Sequence, residues 1–426
     1  MIWSFRSMPI SEAFKTRLYP QLDRIAKHFG TPFHIYDEAG IRTTGQALKD
    51  AFAGAEGFRE FFAVKALPNP FILTIMREMG FGFDCSSIPE LMLARNAHVA
   101  PTDIMFTSNN TSEADFLAAA AHGGCILNLD DISLIGKVPL MPELICFRYN
   151  PGAKRSGNAI IGKPEEAKYG VSDGQIADAY RKAQERGAKR FGLHSMLASN
   201  ELDYRYIVET ARMLLDLCRR LELELNIRME FVNIGGGLGI PYRPEDAPLD
   251  LPAMGREVCG LLEDFKKAYG YVPRLFTESG RYMSGPHGVL VTRVINRKDI
   301  YRTHIGVDSS MAALMRPAIY GAYHHIEAPG CKDRPLELVD VVGPLCENND
   351  KFAIQRQLPH LEGGELLVIQ DTGAHGHAMG FNYNGRLRPQ ELLLRTDGSV
   401  ERIRRAENVT DYFATLIFEP DTLAAG

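Results

Sequence analysis

Residues 59 to 66 read Arg-Glu-Phe-Phe-Ala-Val-Lys-Ala and place one lysine, Lys65, in an otherwise apolar run. A short run of this kind, flanked by Pro68 and Pro70, predicts a buried strand. Burial favours the neutral form of an amine, and a neutral amine is a nucleophile that can form a Schiff base. The alternative is a lysine at a strand end whose ammonium group reaches solvent. This segment alone favours the lysine with its ammonium group in solvent, so the choice between the two depends on the rest of the sequence.

The region from about residue 59 to residue 283 alternates short apolar runs with longer amphipathic ones, which is the pattern of repeated strand and helix units. The predicted strands cover residues 61–65, 82–86, 104–108, 125–129, 144–149, 190–194, 230–235 and 274–278. The clearest predicted helices run from about residue 202 to 221 and from the N-cap Ser112 to about Gly123. Eight such units predict a closed (β/α)8 barrel, a fold that takes roughly 250 residues.

After residue 283 the pattern changes to β-branched or alternating runs without long helical patterns, at residues 288–294, 304–308, 336–342, 365–370 and 392–404. These runs predict a mainly antiparallel β domain, either a barrel or a sandwich. The strand that ends at Tyr36 could join it from the other end of the chain. We therefore predict an α/β barrel over residues 38–283 and a β domain made of residues 1–37 and 284–426.

The composition is that of an ordinary globular enzyme, with 426 residues of which 45% are hydrophobic and 24% are charged. A net charge of -5 with both signs interspersed leaves no basic stripe of the kind that nucleic acid requires. The start of the chain lacks a secretory signal pattern and no run of about 18 apolar residues occurs, so we predict a cytoplasmic protein with no membrane partner. Seven cysteines without a C-x-x-C pair argue against a disulfide framework and against a metal site.

The active site of a (β/α)8 barrel forms at the carboxyl ends of its strands. Polar side chains and glycines follow the predicted strands there, namely Lys65, Asp84, Ser87, His194, Gly235, Gly236, Gly237, Glu278, Gly280 and Arg281. Consecutive glycines allow backbone N–H groups to turn toward a phosphate, although a tight turn would also explain them. The fixed charge of Arg281 after the next strand favours the phosphate.

Glu278 is a candidate partner for the nitrogen of a pyridine ring. A carboxylate facing that nitrogen keeps it protonated, which makes pyridoxal 5'-phosphate a strong electron sink. A salt bridge to Arg281 is the alternative role of Glu278. The cofactor has an aldehyde, a phosphate and a pyridine nitrogen. Lys65, the glycines and Glu278 are the candidate partners of these three groups, in that order.

Seven segments in order resemble the fold-type III pyridoxal-phosphate decarboxylases, the group of the diaminopimelate decarboxylases and the eukaryotic-type ornithine decarboxylases. The segments are Phe62-Ala-Val-Lys-Ala66, Phe83-Asp-Cys-Ser-Ser-Ile-Pro-Glu-Leu91, Asn233-Ile-Gly-Gly-Gly-Leu-Gly239, Glu278-Ser-Gly-Arg-Tyr282, Met315-Arg-Pro-Ala-Ile-Tyr320, Val342-Gly-Pro-Leu-Cys-Glu347, and Asp371-Thr-Gly-Ala-His-Gly376 with Asn382-Tyr-Asn384 after it. The resemblance covers nearly the whole chain. Its fifth and sixth segments look most like diaminopimelate decarboxylases.

The resemblance implies decarboxylation of meso-2,6-diaminopimelate at its D-configured centre, which gives L-lysine and CO2 in the last step of lysine biosynthesis. It implies that the cofactor is bonded to Lys65 and contacted by Asp84, His194, Gly235, Gly236, Gly237, Glu278, Gly280, Arg281 and Tyr383. It implies that the distal end of the substrate is bound by Arg281, Arg316, Tyr320, Glu347 and Tyr383. Cys346 would donate a proton in the active site of a neighbouring subunit, so the expected partner is a second copy in a head-to-tail homodimer with shared sites.

Departures from the family pattern leave the substrate open. Met196 stands where the family has a histidine that stacks on the cofactor, His375 stands where a tyrosine is common, and Asn348-Asn349 replaces a Ser-Gly pair. Methionine sulfur can contact a ring, but any proton transfer by the histidine would be lost or shifted.

The alternatives are a decarboxylase of the same fold that acts on a D-amino acid, a polyamine precursor or a biosynthetic conjugate, a racemase with a similar barrel, and a non-catalytic cofactor carrier. Arg316 argues against a simple diamine precursor, whose distal end carries only an ammonium. The roughly 140 residues after the barrel argue against a lone-barrel carrier.

Overall fold

The computed structural model describes residues 10–157, 160 and 162–419. Its strands are β1 (Phe33–Asp37), β2 (Arg59–Ala63), β3 (Gly82–Cys85), β4 (Ile104–Ser108), β5 (Ile126–Leu129), β6 (Leu144–Asn150), β7 (Val171–Ser172), β8 (Arg190–His194), β9 (Met229–Asn233), β10 (Arg274–Thr277), β11 (Gly288–Asp299), β12 (Thr303–Val307), β13 (Ile326–Glu327), β14 (Leu336–Val342), β15 (Lys351–Pro359), β16 (Leu366–Ile369), β17 (Gln390–Leu394) and β18 (Val400–Arg404). Its α-helices are α1 (Glu12–Leu18), α2 (Leu22–Phe29), α3 (Glu38–Ala51), α4 (Pro70–Glu78), α5 (Ile88–Asn96), α6 (Glu113–Ala120), α7 (Ile176–Glu185), α8 (Tyr204–Leu225), α9 (Leu251–Tyr269), α10 (Gly280–Ser284), α11 (Arg316–Tyr320) and α12 (Val409–Phe413).

Eight parallel strands close into a ring in the order β2, β3, β4, β5, β6, β8, β9 and β10, with β10 pairing back to β2. The predicted (β/α)8 barrel is confirmed. After β5 the chain forms a 3-10 segment, Ile132–Lys137, where the other units have an α-helix. Helix α3, which precedes the first barrel strand, packs outside the barrel against α4 and α9.

Aromatic and aliphatic side chains fill the barrel interior. Phe276 packs with its ring centroid 4.4 Å from that of Phe231 and 5.0 Å from that of Phe61, and Met105, Ile126 and Cys146 complete this core. Gly192 in β8 leaves the room that Phe231 occupies, because a Cβ at that position would lie 2.0 Å from Cζ of Phe231. The barrel is therefore packed inside, as in other barrels of this type.

The segment after the barrel forms a second, mainly antiparallel sheet in the order β15, β14, β12, β11, β1, β17 and β18, with β16 pairing to β11 and β13. The N-terminal strand β1 joins this sheet, antiparallel to β11 and parallel to β17. Helices α1 and α2 cover one face through Phe14, Leu18 and Ile25. The predicted β domain with a strand from the N-terminal part of the chain is confirmed, while the residue limits given above for the two domains stay a prediction.

Several predicted elements differ from the structure. The first barrel strand ends at Ala63, two residues before Lys65, which lies in the 3-10 turn Val64–Ala66. The run 392–404 is two strands, β17 and β18, separated by a turn in which Gly398 has a φ of 88°. Strand β15 was not predicted, because its pairing with β14 is interrupted by irregularities that break a period of two. Within the described residues, no helix is long and apolar enough to cross a lipid bilayer.

Candidate active site

A cavity of about 490 Å³ opens at the carboxyl ends of the barrel strands, where the second sheet meets the barrel. Eight of the predicted site residues line it, namely Lys65, Asp84, Gly237, Glu278, Gly280, Arg281, Arg316 and Tyr320. A volume of this size suits a small-molecule ligand. In the described part of the chain, no group of His, Cys, Asp and Glu side chains is arranged to hold a metal ion.

Lys65 reaches into this cavity from the 3-10 turn after β2. Its side chain is 55% exposed and its Nζ lies 3.9 Å from Oδ2 of Asp84. The expectation that Lys65 is buried within a strand is wrong, because the strand ends before it and the turn directs the side chain into open space. The lysine that the sequence singled out does lie at the site, with a carboxylate as its neighbour.

Asp84, at the end of β3, is a buried carboxyl group. Its Oδ1 makes no hydrogen bond within the described residues. Burial, reinforced by the charge of Glu278, raises the pKa of Asp84 well above its ordinary value. An orphaned acid oxygen beside a lysine is a polar group that a bound ligand can satisfy.

Glu278 is fixed at the end of β10 by two buried neighbours. Asn233 donates to its Oε1 at 2.7 Å, and its Oε2 lies 3.1 Å from Nε2 of His194. Burial acts to raise the pKa of Glu278, but His194, Lys65 and Arg148 outweigh burial and hold the pKa below its ordinary value. The carboxylate is therefore ionised and oriented at the base of the cavity, and the salt bridge to Arg281 considered above does not form.

The loop after β9 carries three glycines whose backbone is packed on all sides. Gly235 and Gly237 have φ angles of 73° and 89°, which favour glycine. At Gly236 a Cβ would lie 2.2 Å from the backbone oxygen of Glu278, and at Gly280 it would lie 2.7 Å from Cβ of Ala66. These glycines bring two loops together and leave backbone groups at the edge of the cavity.

Two arginines and a tyrosine, Arg281, Arg316 and Tyr242, form another part of the cavity wall. Arg281 donates from Nη1 to the hydroxyl of Tyr242 at 2.5 Å, and Cζ of Arg316 lies 4.4 Å from the centre of the Tyr242 ring. Arg316 is buried and donates from Nη1 to Nε2 of His324 at 2.8 Å. Neither guanidinium has a carboxylate within 4.0 Å among the described residues. The wall therefore presents fixed positive charge to the cavity.

Sequence reasoning missed Tyr242 and Glu60. Glu60 is buried in β2, where it accepts hydrogen bonds from Oγ1 of Thr277 at 2.5 Å and from the backbone N–H of Ser279 at 2.6 Å. It thereby fixes the loop that carries Glu278. A signal for Glu60 was present, since it is a single acid in the same apolar run as Lys65. Tyr242 had a weaker signal, its place three residues after the glycine-rich segment.

Six predicted residues do not line the cavity of the single chain. His194, Gly235 and Gly236 lie next to residues that line it, namely Glu278 and Met196. The other three are Tyr383, Cys346 and Glu347. The side chain of Tyr383 is 52% exposed, and Cys346 is exposed as well. The segment with Cys346 and Glu347 lies beside the segment with Tyr383, because the backbone N–H of Cys346 donates to Oδ1 of Asn384 at 2.7 Å. These residues form one surface group outside the cavity.

Met196 and His375, the two cavity residues that differ from the family pattern, make specific contacts. The sulfur of Met196 accepts a hydrogen bond from the backbone N–H of Gly236 at 3.3 Å. His375 has a φ of 56°, and its backbone N–H donates to the oxygen of Ala66 at 2.9 Å. Burial, together with the positive charges of Arg281 and other neighbours, lowers the pKa of His375 well below its ordinary value. His375 therefore faces the cavity as a neutral imidazole.

The residues fit pyridoxal 5'-phosphate. An amine with an orphaned carboxyl oxygen next to it, an oriented carboxylate, and a glycine-rich edge beside Arg281 surround one cavity. Such a donor set matches an aldehyde, a pyridine nitrogen and a phosphate in one ligand. A parallel barrel with this site defines the class of barrel enzymes that use pyridoxal phosphate.

Comparison with known proteins gives the family. Residues 38–285, more than half of the chain, match the family described as pyridoxal-dependent decarboxylase, pyridoxal binding domain. The chain is 47% identical to Protein TabA of Pseudomonas amygdali pv. tabaci, over 97% of both chains. It is 38% identical to the diaminopimelate decarboxylase of Methanothermobacter thermautotrophicus, over 91% of this chain and 92% of that one.

Solved structures agree with this result. The crystal structure of diaminopimelate decarboxylase from M. jannaschii in complex with L-lysine superposes with a TM-score of 0.87 at 29% identity, over 93% of this chain and 94% of that one. The Helicobacter pylori enzyme, also in complex with L-lysine, gives a TM-score of 0.83 at 27% identity, over 93% and 98%. The chain belongs to the pyridoxal-dependent decarboxylase family, and it is an amino-acid decarboxylase that depends on pyridoxal phosphate.

Proposed function

We propose that this enzyme decarboxylates meso-2,6-diaminopimelate to L-lysine and CO2. The observation that carries the proposal is the buried guanidinium of Arg316, which faces the cavity without a carboxylate partner among the described residues. A fixed guanidinium fork suits a substrate whose distal end carries a carboxylate, and diaminopimelate has one. A diamine precursor such as ornithine would bring an ammonium to the same arginine.

The cofactor would be held by Lys65 through its aldehyde and by Glu278 at its pyridine nitrogen. Its phosphate region would be held by Gly235, Gly236, Gly237, Gly280, Arg281 and Tyr383, with Asp84 and His194 contributing further contacts. When bound, pyridoxal phosphate supplies an electron sink for the charge left at Cα as CO2 departs. Glu278 would keep the pyridine nitrogen of the bound cofactor protonated, and Asn233 and His194 hold Glu278 in place.

The substrate would be oriented by its distal end. Arg281, Arg316 and Tyr320 would bind the distal carboxylate, and Tyr383 would lie near it. Binding energy from a remote carboxylate is useful in this reaction, because it can hold the carboxylate that leaves in the required geometry. The same contacts would select the D-configured centre for reaction, since the other centre is fixed against the wall.

We also infer that the enzyme is a head-to-tail homodimer. Cys346 and Glu347 would then complete the partner's cavity, with Cys346 as the proton donor and Glu347 as the partner of the distal ammonium. Their position outside their own cavity, in one exposed group with the Tyr383 segment, supports this arrangement. Two copies that each complete the cavity of the other are related by a two-fold axis, which makes the two shared sites equivalent.

The named relatives support the substrate only in part. Several of them are diaminopimelate decarboxylases, and two solved relatives contain L-lysine. Protein TabA, with a higher identity to this chain than these, has a name that states no substrate. Met196 and His375, two cavity residues that depart from the family pattern, favour a second candidate, a decarboxylase of the same fold that acts on another amino acid.

A decarboxylation assay tests the proposal. The purified protein, loaded with pyridoxal phosphate, is given meso-diaminopimelate, L-lysine, L-ornithine, L-arginine or D-lysine, and CO2 and amine products are measured. The proposal expects L-lysine from diaminopimelate and at least roughly 100-fold lower kcat/KM for substrates without a distal carboxylate. A protein that binds the cofactor but leaves diaminopimelate unchanged would make the second candidate the correct one.

A further inference from the structure

A second pair of arginines encloses another tyrosine on the cavity wall. The ring centre of Tyr323 lies 3.9 Å from Cζ of Arg356 and 4.7 Å from Cζ of Arg243. Tyr323 and Arg243 line the cavity, whereas Arg356 lies behind the tyrosine and donates to the backbone oxygen of His324 at 2.9 Å. We call these three residues, Arg243, Tyr323 and Arg356, the outer arginine stack.

The outer arginine stack adjoins the wall that holds Arg316. Arg243 follows Tyr242 in the chain, and Tyr323 precedes His324. The rings of Tyr242 and His324 pack against each other with centroids 5.2 Å apart. Tyr242 and His324 both contact Arg316, so a ligand bound at Arg316 lies next to Arg243.

The outer arginine stack makes one ion pair with a carboxylate among the described residues, and a second carboxylate, Asp246, lines the cavity and accepts a hydrogen bond from the backbone N–H of Arg243. Among the described residues, Arg356 has no carboxylate within 4.0 Å. The carboxylate closest to Arg243 in an ion pair is that of Glu245, 3.8 Å away and 62% exposed. Such an exposed pair contributes little. Burial, reinforced by the charge of Arg243, lowers the pKa of Arg356, and an anion nearby would stabilise the charged form of this side chain. The decarboxylation proposed above gives this stack no ligand.

We infer that the cavity has a second anion subsite at Arg243 and Tyr323, and that it accepts diamino diacids whose distal amine carries an acyl chain ending in a carboxylate. The inference rests on the proposed function for the position of the distal carboxylate at Arg316. The distal centre of diaminopimelate offers one further attachment point, its amine, so a second anion beside Arg243 has to be joined through that amine.

Kinetics with three substrates test the subsite. The substrates are meso-diaminopimelate and its derivatives acylated at the L-configured amine with an acetyl or a succinyl group. These two derivatives share the amide and differ in the terminal carboxylate. We expect kcat/KM for the succinyl derivative to exceed that for the acetyl derivative by about tenfold or more, because a guanidinium and a carboxylate form a charge-assisted pair.

An arginine substitution assigns that preference to the stack. Arg243→Gln should remove most of the preference for the succinyl over the acetyl derivative. Arg212→Gln is the matched control, since the side chains of Arg243 and Arg212 are 50% and 51% exposed and each pairs with a glutamate. Arg212 lies on α8 outside the cavity, so its substitution should keep the preference. Equal rates with the two derivatives in the unsubstituted enzyme, or an unchanged preference in Arg243→Gln, would overturn the inference.

A binding measurement separates this inference from the proposed function. Calorimetric titration of the holoenzyme with Nα-succinyl-L-lysine and Nα-acetyl-L-lysine should show tighter binding of the succinyl compound, and Arg243→Gln should remove the difference. If diaminopimelate reacts but the succinyl compound binds no better, the subsite is refuted and the proposed function stands. If diaminopimelate does not react and the succinyl compound still binds more tightly through Arg243, the subsite stands and the proposed function fails.

Discussion

The guanidinium of Arg316 donates a hydrogen bond to Nε2 of His324 at 2.8 Å, and Nδ1 of the same ring donates to the backbone oxygen of Gln370 at 2.7 Å. Nε2 has to be the acceptor here, because a guanidinium offers only donors. Burial, reinforced by the charge of Arg316, lowers the pKa of His324 to about 3, so the ring stays neutral. His324 is therefore placed to orient the guanidinium of Arg316.

We predict that His324→Leu raises KM for diaminopimelate about tenfold with a smaller change in kcat. The reason is that a hydrogen bond to a charged group is worth about 1.5–3 kcal/mol, and Arg316 loses its only side-chain acceptor among the described residues. His324→Gln keeps an acceptor near the position of Nε2 and should recover part of the loss. Steady-state kinetics of the three proteins, with thermal unfolding as a check of the fold, provide the measurement. Equal KM values would show that Arg316 does not need this support.

Glu60 gives a prediction for the dependence of stability on pH. Burial raises the pKa of Glu60 to about 7, although hydrogen bonds from Thr277 and Ser279 oppose the shift. Above its ordinary pKa of 4.5, the unfolded chain releases the proton while the folded chain keeps it, so the folded state loses stability as the pH rises from 4.5 to 7. The contribution of this one group is on the order of 3 kcal/mol.

Glu60→Gln should therefore become more stable relative to the unsubstituted enzyme as the pH increases. An amide of the same shape does not titrate, so the difference in free energy of unfolding between the two proteins should grow across this range and level off above pH 7. Urea unfolding at several pH values measures it. A difference that stays constant between pH 4.5 and 7 would mean that Glu60 is already ionised in the folded enzyme.

The fold was largely predictable because its signals are local. The eight barrel strands follow from apolar runs of strand length, and the N-cap at Ser112 follows from a capping pair with Asp115 that the structure contains. The predicted position of Lys65 within a strand was wrong, because hydrophobicity shows which runs are apolar but not the residue at which a strand ends and a turn begins.

The sequence placed several of the residues that line the cavity, whereas it did not predict their contacts with one another. Lysine, glutamate and glycines were identified because each follows a barrel strand. The contact of Tyr242 with Arg316 joins residues 74 positions apart in the chain, and no spacing rule brings them together. The pairing of Arg316 with His324 is similarly a result of how α11 and the segment after it fold back on the cavity.

The glycine-rich loop can be tested with a pair of alanine substitutions. At Gly236 a new Cβ would lie 2.2 Å from the backbone oxygen of Glu278, so two loops would have to move apart. We expect Gly236→Ala to weaken cofactor binding at least tenfold and to lower stability by about 1–3 kcal/mol. Cofactor titration followed by absorbance and urea unfolding provide the two measurements.

Gly260→Ala is the matched control for this substitution. Gly260 lies within α9, and a Cβ there would meet no atom within 4 Å. Alanine is the better helix former, so this variant should be about 0.5–1 kcal/mol more stable and should bind the cofactor normally. If Gly236→Ala behaved like Gly260→Ala, the close approach of the glycine loop to the Glu278 loop would not matter for the cofactor.

The shared active site can be tested by complementation between two inactive variants. Lys65→Ala lacks the group proposed to hold the cofactor, and Cys346→Ala lacks the proposed proton donor, so each homodimer should be nearly inactive. In a heterodimer with one copy of each, one cavity has lost both groups and the other keeps Lys65 of one subunit and Cys346 of its partner. Two affinity tags allow this heterodimer to be purified, and it should have about half the activity of the unsubstituted dimer.

If Cys346 acted within its own subunit, both cavities of the heterodimer would lack one group and the activity would stay at the level of the parent variants. The exposed position of Cys346 beside Asn384, away from the cavity of its own chain, is the reason to expect the first result.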